Sequence, residues 1–87
     1  MSAIHFILYS RSYCHLCDDM LQALRSLDPA NAFIIDIVDI DTHGDPALLA
    51  QYDEWVPVLI GAKPSAQPVR LCHYHLDYAR VREFLAG

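Results

Sequence analysis

The chain has 87 residues, room for one domain with a small core, and 54% of them are apolar, above the usual share in disordered sequence. Its formal net charge is −5 with only six Lys and Arg, none clustered, which argues against nucleic acid and anionic membrane surfaces as partners. Three cysteines, an odd number, do not make a disulfide framework, so a closely spaced pair among them points to catalysis or metal binding.

The start, Met1-Ser2-Ala3-Ile4-His5, lacks the charged and long apolar regions of a signal peptide. No stretch approaches the roughly 20 apolar residues that span a bilayer, so a cytoplasmic protein is expected. Residues 4–9 (Ile-His-Phe-Ile-Leu-Tyr) read as a buried first strand. Cys17, Met20, Leu21, Leu24 and Leu27 then recur as one face of a helix over about 15–27, which Asp28-Pro29 stops. Phe33 to Ile40 is rich in Ile and Val and reads as a second strand. Asp36 and Asp39 interrupt it, as suits an edge with one solvated side. Asp45 and Pro46 look like the cap and first residue of a short helix, with Leu48, Leu49 and Tyr52 as its apolar face. Pro57 to Ile60 is a third strand, Gly61 to Pro68 a polar hairpin loop, and Val69 to His73 a fourth strand. Asp77 can cap a last helix with Tyr78, Val81, Phe84 and Leu85 facing inward. The expected order is β-α-β-α-β-β-α in a single domain over 1–87. The first two strands should be parallel through a right-handed crossover, the last two antiparallel, and helices should cover both faces of the mixed sheet.

Cys14-His15-Leu16-Cys17 is a C-x-x-C pair where a strand's exit loop becomes a helix. Unpaired backbone N–H groups and the positive end of the helix dipole stabilise a thiolate there. Cys17 lies three residues on, on the same side of the first turn and deeper. That spacing suits attack on a disulfide by Cys14 and release of the product by Cys17. Arg11 and His15 add nearby positive charge. A buried, inert pair is the alternative. At Pro57 the residues alone leave two readings open: a trans proline opening a strand, or a cis peptide that frees the Val56 backbone for an extended substrate.

With these residues in place, the chain resembles the glutaredoxin branch of the thioredoxin superfamily. Residues 9–17 (Tyr-Ser-Arg-Ser-Tyr-Cys-His-Leu-Cys) look like the family's aromatic-Ser-Lys-x-aromatic-Cys-Pro-Tyr-Cys segment, and Trp55-Val56-Pro57 looks like its Thr-Val-Pro segment. The resemblance implies the α/β thioredoxin-like fold of glutaredoxin type, with a four-stranded mixed sheet flanked by helices. It also implies a cis Pro57 and a thiol–disulfide oxidoreductase with Cys14 as nucleophile and Cys17 as resolving thiol. By the same resemblance Arg11 stands where the family has a lysine for a glutathione carboxylate. Val56 is by the resemblance a backbone partner for substrate. Tyr13 and His15 flank the nucleophile as candidate substrate-contact positions, and His15, where the family has proline, either stabilises the thiolate or lies on the surface without effect.

The chain departs from that pattern at His15, Leu16 and Trp55, and in place of the family's Gly-Gly it carries Tyr74-His75. Glycines let a peptide backbone approach closely, whereas Tyr and His carry bulk. Glutathione recognition should therefore be weakened or altered, with Asp77 either meeting a ligand amine or capping the helix. The expected partners are a disulfide-bearing protein or a small thiol. Glutathione is a candidate co-substrate, no cofactor or metal is expected, and the chain should be a monomer.

Weaker signals point less far. Cys72 reads as a small core residue, or as a site of glutathionylation or dimerisation. His73 and His75, two apart on a strand, share a side and would bind metal only if they met the cysteine pair. Trp55 is a rim or core residue, or touches substrate. Residues 39–44 mimic the start of a calcium loop, but Ala50 stands where the bidentate Glu belongs. Two further readings stay open: a metal or iron–sulfur module, and an interaction module whose cysteines no longer turn over.

Overall fold

Strand β1 (His5–Ser10) lies between two neighbours in a four-stranded sheet of order β2-β1-β3-β4. The computed structural model describes residues 4–64 and 66–86. The reading of Met1-Ser2-Ala3 lies outside these, as does Ser65 in the hairpin loop. The other elements are α1 (His15–Ser26), β2 (Ile34–Asp39), α2 (Pro46–Tyr52), β3 (Val58–Ala62), β4 (Val69–His73) and α3 (Tyr78–Ala86). β1 pairs with β2 in parallel and with β3 antiparallel, and β3 pairs antiparallel with β4. This is the mixed sheet expected from the order of elements, and the resemblance implied its thioredoxin-like arrangement. Among the described residues no helix is long and apolar enough to cross a membrane.

The two-residue period of β1 separates two cores. Phe6 and Leu8 face α1 and α3, where they meet Met20, Leu24, Leu59, Leu71 and Val81. Ile7 and Tyr9 face the other way, toward α2, with Ile40, Tyr52, Val58 and Ile60. Phe6 also packs its ring against Phe33 at 5.1 Å and Phe84 at 5.9 Å. Tyr9 stacks on Tyr52 at 4.7 Å, and burial pushes its phenol pKa up. β2 is an edge strand with Ile34 and Ile37 about half exposed, as its interrupting carboxylates imply. Asp28 ends the first helical segment by accepting the Ala32 and Phe33 N–H groups, both at 2.7 Å, which turns the chain into β2.

Four expectations need correction. β3 starts at Val58 and runs through Gly61 and Ala62, so the hairpin loop is shorter than the polar composition suggested. Leu49 is turned outward at 38% exposure, because only Leu48 and Tyr52 of α2 reach the sheet. Tyr78 is 44% exposed, since it opens the first turn of α3 beside Asp19 and Ala23 of α1 instead of lying over the sheet. His75 lies beyond the end of β4, and Tyr74 between it and His73 has a positive φ of 63°, so the strand alternation does not put the two imidazoles on one side.

The β3–β4 ladder slips between Leu59 and Ile60, leaving Leu71 as an extra residue on β4. Such a bulge breaks the alternation. Leu71 and Cys72, adjacent in sequence, both pack against the α1/α3 core. Opposite them Gly61 is required for closeness: a Cβ there would lie 2.7 Å from the Phe84 ring and 2.9 Å from Leu71 Cδ1. Gly61→Ala should cost about 1–3 kcal/mol of stability by overpacking, measured as a lower urea midpoint with unchanged slope.

Candidate active site

The register brings four loops to one end of the sheet. Ser10 at the end of β1 pairs with Asp39 at the end of β2, Tyr9 pairs with Val58 at the start of β3, and Val58 pairs with His73 at the end of β4. The loop bearing Cys14, the turn after Asp39, the segment before Val58 and the loop after His73 therefore share that end.

Cys14 is the N-cap of α1, with extended backbone at φ −111° and ψ 104°. Its Sγ accepts the Cys17 N–H at 3.1 Å, and its carbonyl accepts the Asp18 N–H at 3.2 Å. A sulfur thus takes the place of the Ser or Asp oxygen that usually satisfies a first-turn donor. Cys14 and Cys17 are joined as a disulfide with Cα atoms 5.2 Å apart. Cys14 is partly open to solvent while Cys17 is 4% exposed. Before them Tyr13 has a positive φ of 59° and its side chain is fully exposed. A bulky residue rarely adopts that conformation. It throws the ring outward and turns the chain into the cap. His15 and Leu16 are exposed on the first turn.

Arg11 does something the sequence did not suggest. Its Nε and Nη2 donate to the two oxygens of Asp41 at 3.1 and 2.8 Å. Its Nη1 donates to Asp53 Oδ1 at 2.9 Å and to the Asp53 carbonyl at 3.1 Å. These charge-assisted bonds raise the guanidinium pKa still further, Asp41 first and Asp53 second. The side chain ties the cysteine loop to the turn after β2 and to the end of α2. It is already matched to carboxylates and offers little free charge to a ligand anion. Beside it Ser12 Oγ donates to Asp39 Oδ2 at 3.0 Å. The Asp39 carboxyl is held below its ordinary range, first by the Asp41 N–H and then by the Ser12 hydroxyl.

The facing loop carries a cis Val56–Pro57 peptide bond. Pro57 is fully buried, and its carbonyl accepts the Tyr74 N–H at 2.9 Å. The Val56 N–H is already spent on the Tyr52 carbonyl at 3.1 Å, which narrows substrate pairing at Val56 to its carbonyl. Tyr74 straps this loop from the other side. Its hydroxyl donates to the Glu54 carbonyl at 2.6 Å, and its ring lies nearly parallel to Trp55 at 6.4 Å. His73 packs edge-on against both rings at 4.7 Å. The bulk of Tyr74 was legible in the sequence, but its role as a strap was not. The one available signal was a tyrosine where the resemblance calls for glycine.

A model of the glutaredoxin-like domain (DUF836) matches residues 5–86. The chain belongs to the glutaredoxin-like DUF836 family. The solution structure of protein Ne2328 from Nitrosomonas europaea is 32% identical, with a TM-score of 0.78 over 94% of this chain and 91% of that one. A structural-genomics target protein from X. campestris is 33% identical, with a TM-score of 0.63 over 93% and 95% of the two chains. Oxidised thioredoxin O1 from Arabidopsis thaliana shares the fold at 15% identity, with a TM-score of 0.67 over 97% of this chain and 76% of that one. No curated protein matches.

In this glutaredoxin-like domain the remaining candidates are engaged on β4 and α3. Asp77 caps α3, accepting the Arg80 N–H at 3.1 Å on its side chain and the Val81 N–H at 3.0 Å on its carbonyl. Cys72 is half-buried, and burial pushes its thiol pKa up. Among the described residues no three His, Cys, Asp or Glu side chains gather as a metal site.

The lowered Asp39 pKa gives stability that is present above the ordinary carboxylate range and is lost as pH falls through the lowered value. Ser12→Ala should raise the Asp39 midpoint in an NMR carboxyl titration. Arg11→Ala leaves Asp41 and Asp53 without their shared cation. Its urea midpoint should fall, by less at high salt than at low salt.

Proposed function

We propose that this domain is a dithiol thiol–disulfide oxidoreductase of the cytoplasm that acts on a disulfide-bearing protein or small thiol partner. The observation that carries this is the Cys14–Cys17 disulfide across the first turn of α1, with the partly open Cys14 on the helix cap and Cys17 buried. In the reduced protein the Cys17 N–H and the helix dipole favour the Cys14 thiolate, so its pKa should lie below the ordinary thiol value. The thiolate attacks one sulfur of the substrate disulfide, and the other substrate sulfur leaves as a thiolate. Cys17 then gives up its proton and attacks Cys14 in the mixed disulfide, releasing the second substrate thiolate. The substrate gains two electrons and the pair loses two as its disulfide forms. No cofactor enters these steps.

Glutathione recognition weaker than in the family pattern is supported by two features. Arg11 is matched to Asp41 and Asp53, and Tyr74 fills the position of a glycine. Val56 and Pro57 present backbone beside the substrate, with Tyr13 and His15 at the rim.

Cys17→Ser should accumulate a mixed disulfide at Cys14 when mixed with a disulfide substrate, seen as an added mass. Cys14→Ser should form none. Wild-type protein equilibrated against reduced and oxidised glutathione should interconvert between dithiol and disulfide; a pair that stays reduced at every ratio would overturn the proposal.

A further inference from the structure

A groove follows the outward side of α2 to the loop that carries Pro57. It consists of two adjoining hollows of about 320 and 190 Å³ that share Pro46 and Leu49. Trp55 walls one hollow and Ile40 the other. Leu49 and Trp55 are 38% and 44% exposed, large apolar side chains that the core leaves to solvent. Carboxylates rim this apolar floor: Asp53 and Glu54 on one hollow, Asp41 and Asp45 on the other. Among the described residues no Lys, Arg or His lines either hollow. Arg11 reaches only Asp41 and Asp53, so one guanidinium stands against four carboxylates.

We propose that this groove docks an extended basic stretch of polypeptide, the segment flanking the disulfide of a protein substrate. One aliphatic or aromatic side chain sits between Leu49 and Trp55, and Lys or Arg residues around it meet the carboxylates. This rests on the oxidoreductase reading and narrows its substrate class. Charge complementarity selects the occupant. An apolar floor alone accepts many partners, but a ring of carboxylates on a chain of net charge −5 attracts cations and repels anions. A second copy of the chain docked face to face would oppose the two carboxylate rings. Trp55, which walls the groove, stands two residues before Pro57, and Arg11 of the cysteine loop bonds Asp41 and Asp53 on its rim, so a segment seated in the groove lies beside the cysteine end of the sheet.

Trp55 is the single tryptophan of the chain, so intrinsic fluorescence reads the groove directly. The test titrates the full oxidised chain with cysteine-free peptides. One has a central Leu between Lys and Arg residues, one has the same Leu between Asp and Glu, and one is the basic peptide with Ala at the centre. The basic Leu peptide should bind about fivefold or more tighter than each of the others, and its affinity should fall as salt screens the rim. Leu49→Ser and Glu54→Lys should each weaken it by about fivefold or more. A smaller preference for the basic Leu peptide, or binding that ignores both substitutions, overturns the proposal. A Trp55 signal that changes with protein concentration alone, alongside a dimer in sedimentation, assigns the groove to a second copy and also overturns it. Because the peptides carry no sulfur, their binding is read apart from exchange: a basic-peptide preference in a protein whose Cys14–Cys17 pair does not interconvert against glutathione would sink the redox reading and leave the groove standing, and an interconverting pair without that preference would do the opposite.

Discussion

β1 is hydrogen-bonded along both edges and packed on both faces, and everything near the cysteines inherits its position from that strand. Its parallel bond to β2 sets where the Asp39 turn emerges. Its antiparallel bond to β3 sets where Pro57 enters the sheet, and through β3 where β4 ends. A strand held on four sides has no freedom to slip, since moving it by one residue would exchange its two sets of core contacts. The precision of the cysteine end is therefore a property of the central strand before it is one of the loops.

Electrostatics then draws the loops together. Arg11, one residue past β1, bonds partners 30 and 42 positions away in sequence, so a single planar guanidinium clips three segments together. Tyr74 does comparable work on the other flank with a hydroxyl and an amide. Between these two fasteners lie the cis proline and the helix cap. The groups that hold the Cys14 cap are backbone ones, which are fixed once the loops are fixed.

Much of this was legible in the sequence because it is local or periodic. The helix face from Cys17 to Leu27, the strand of β1 and the carboxylate-interrupted edge of β2 follow from spacing alone. The cis state of Pro57 was legible only through resemblance, since an isolated Val-Pro bond favours trans. What escaped notice depends on contacts between distant residues. Nothing in Tyr9–Cys14 announces that Arg11 will meet Asp41 and Asp53 before it meets any ligand. The outward turn of Leu49 and Tyr78 depends on how far α2 and α3 overhang the sheet, which apolar spacing does not record. The extra residue at Leu71 has no signature in a run as short as residues 69–73.

That extra residue has a consequence for the third sulfur. In an unbroken ladder Leu71 and Cys72 would point to opposite faces, and seating the leucine in the core would send the thiol to the far side of an edge strand. The slip turns both toward α1 and α3, where burial favours the protonated thiol. A protein carrying an exchangeable pair and one spare cysteine is open to internal shuffling and to covalent pairing between molecules. By one residue of slack in its outermost strand, this fold brings the third sulfur against the core of α1 and α3, half-buried and disposed toward its thiol form.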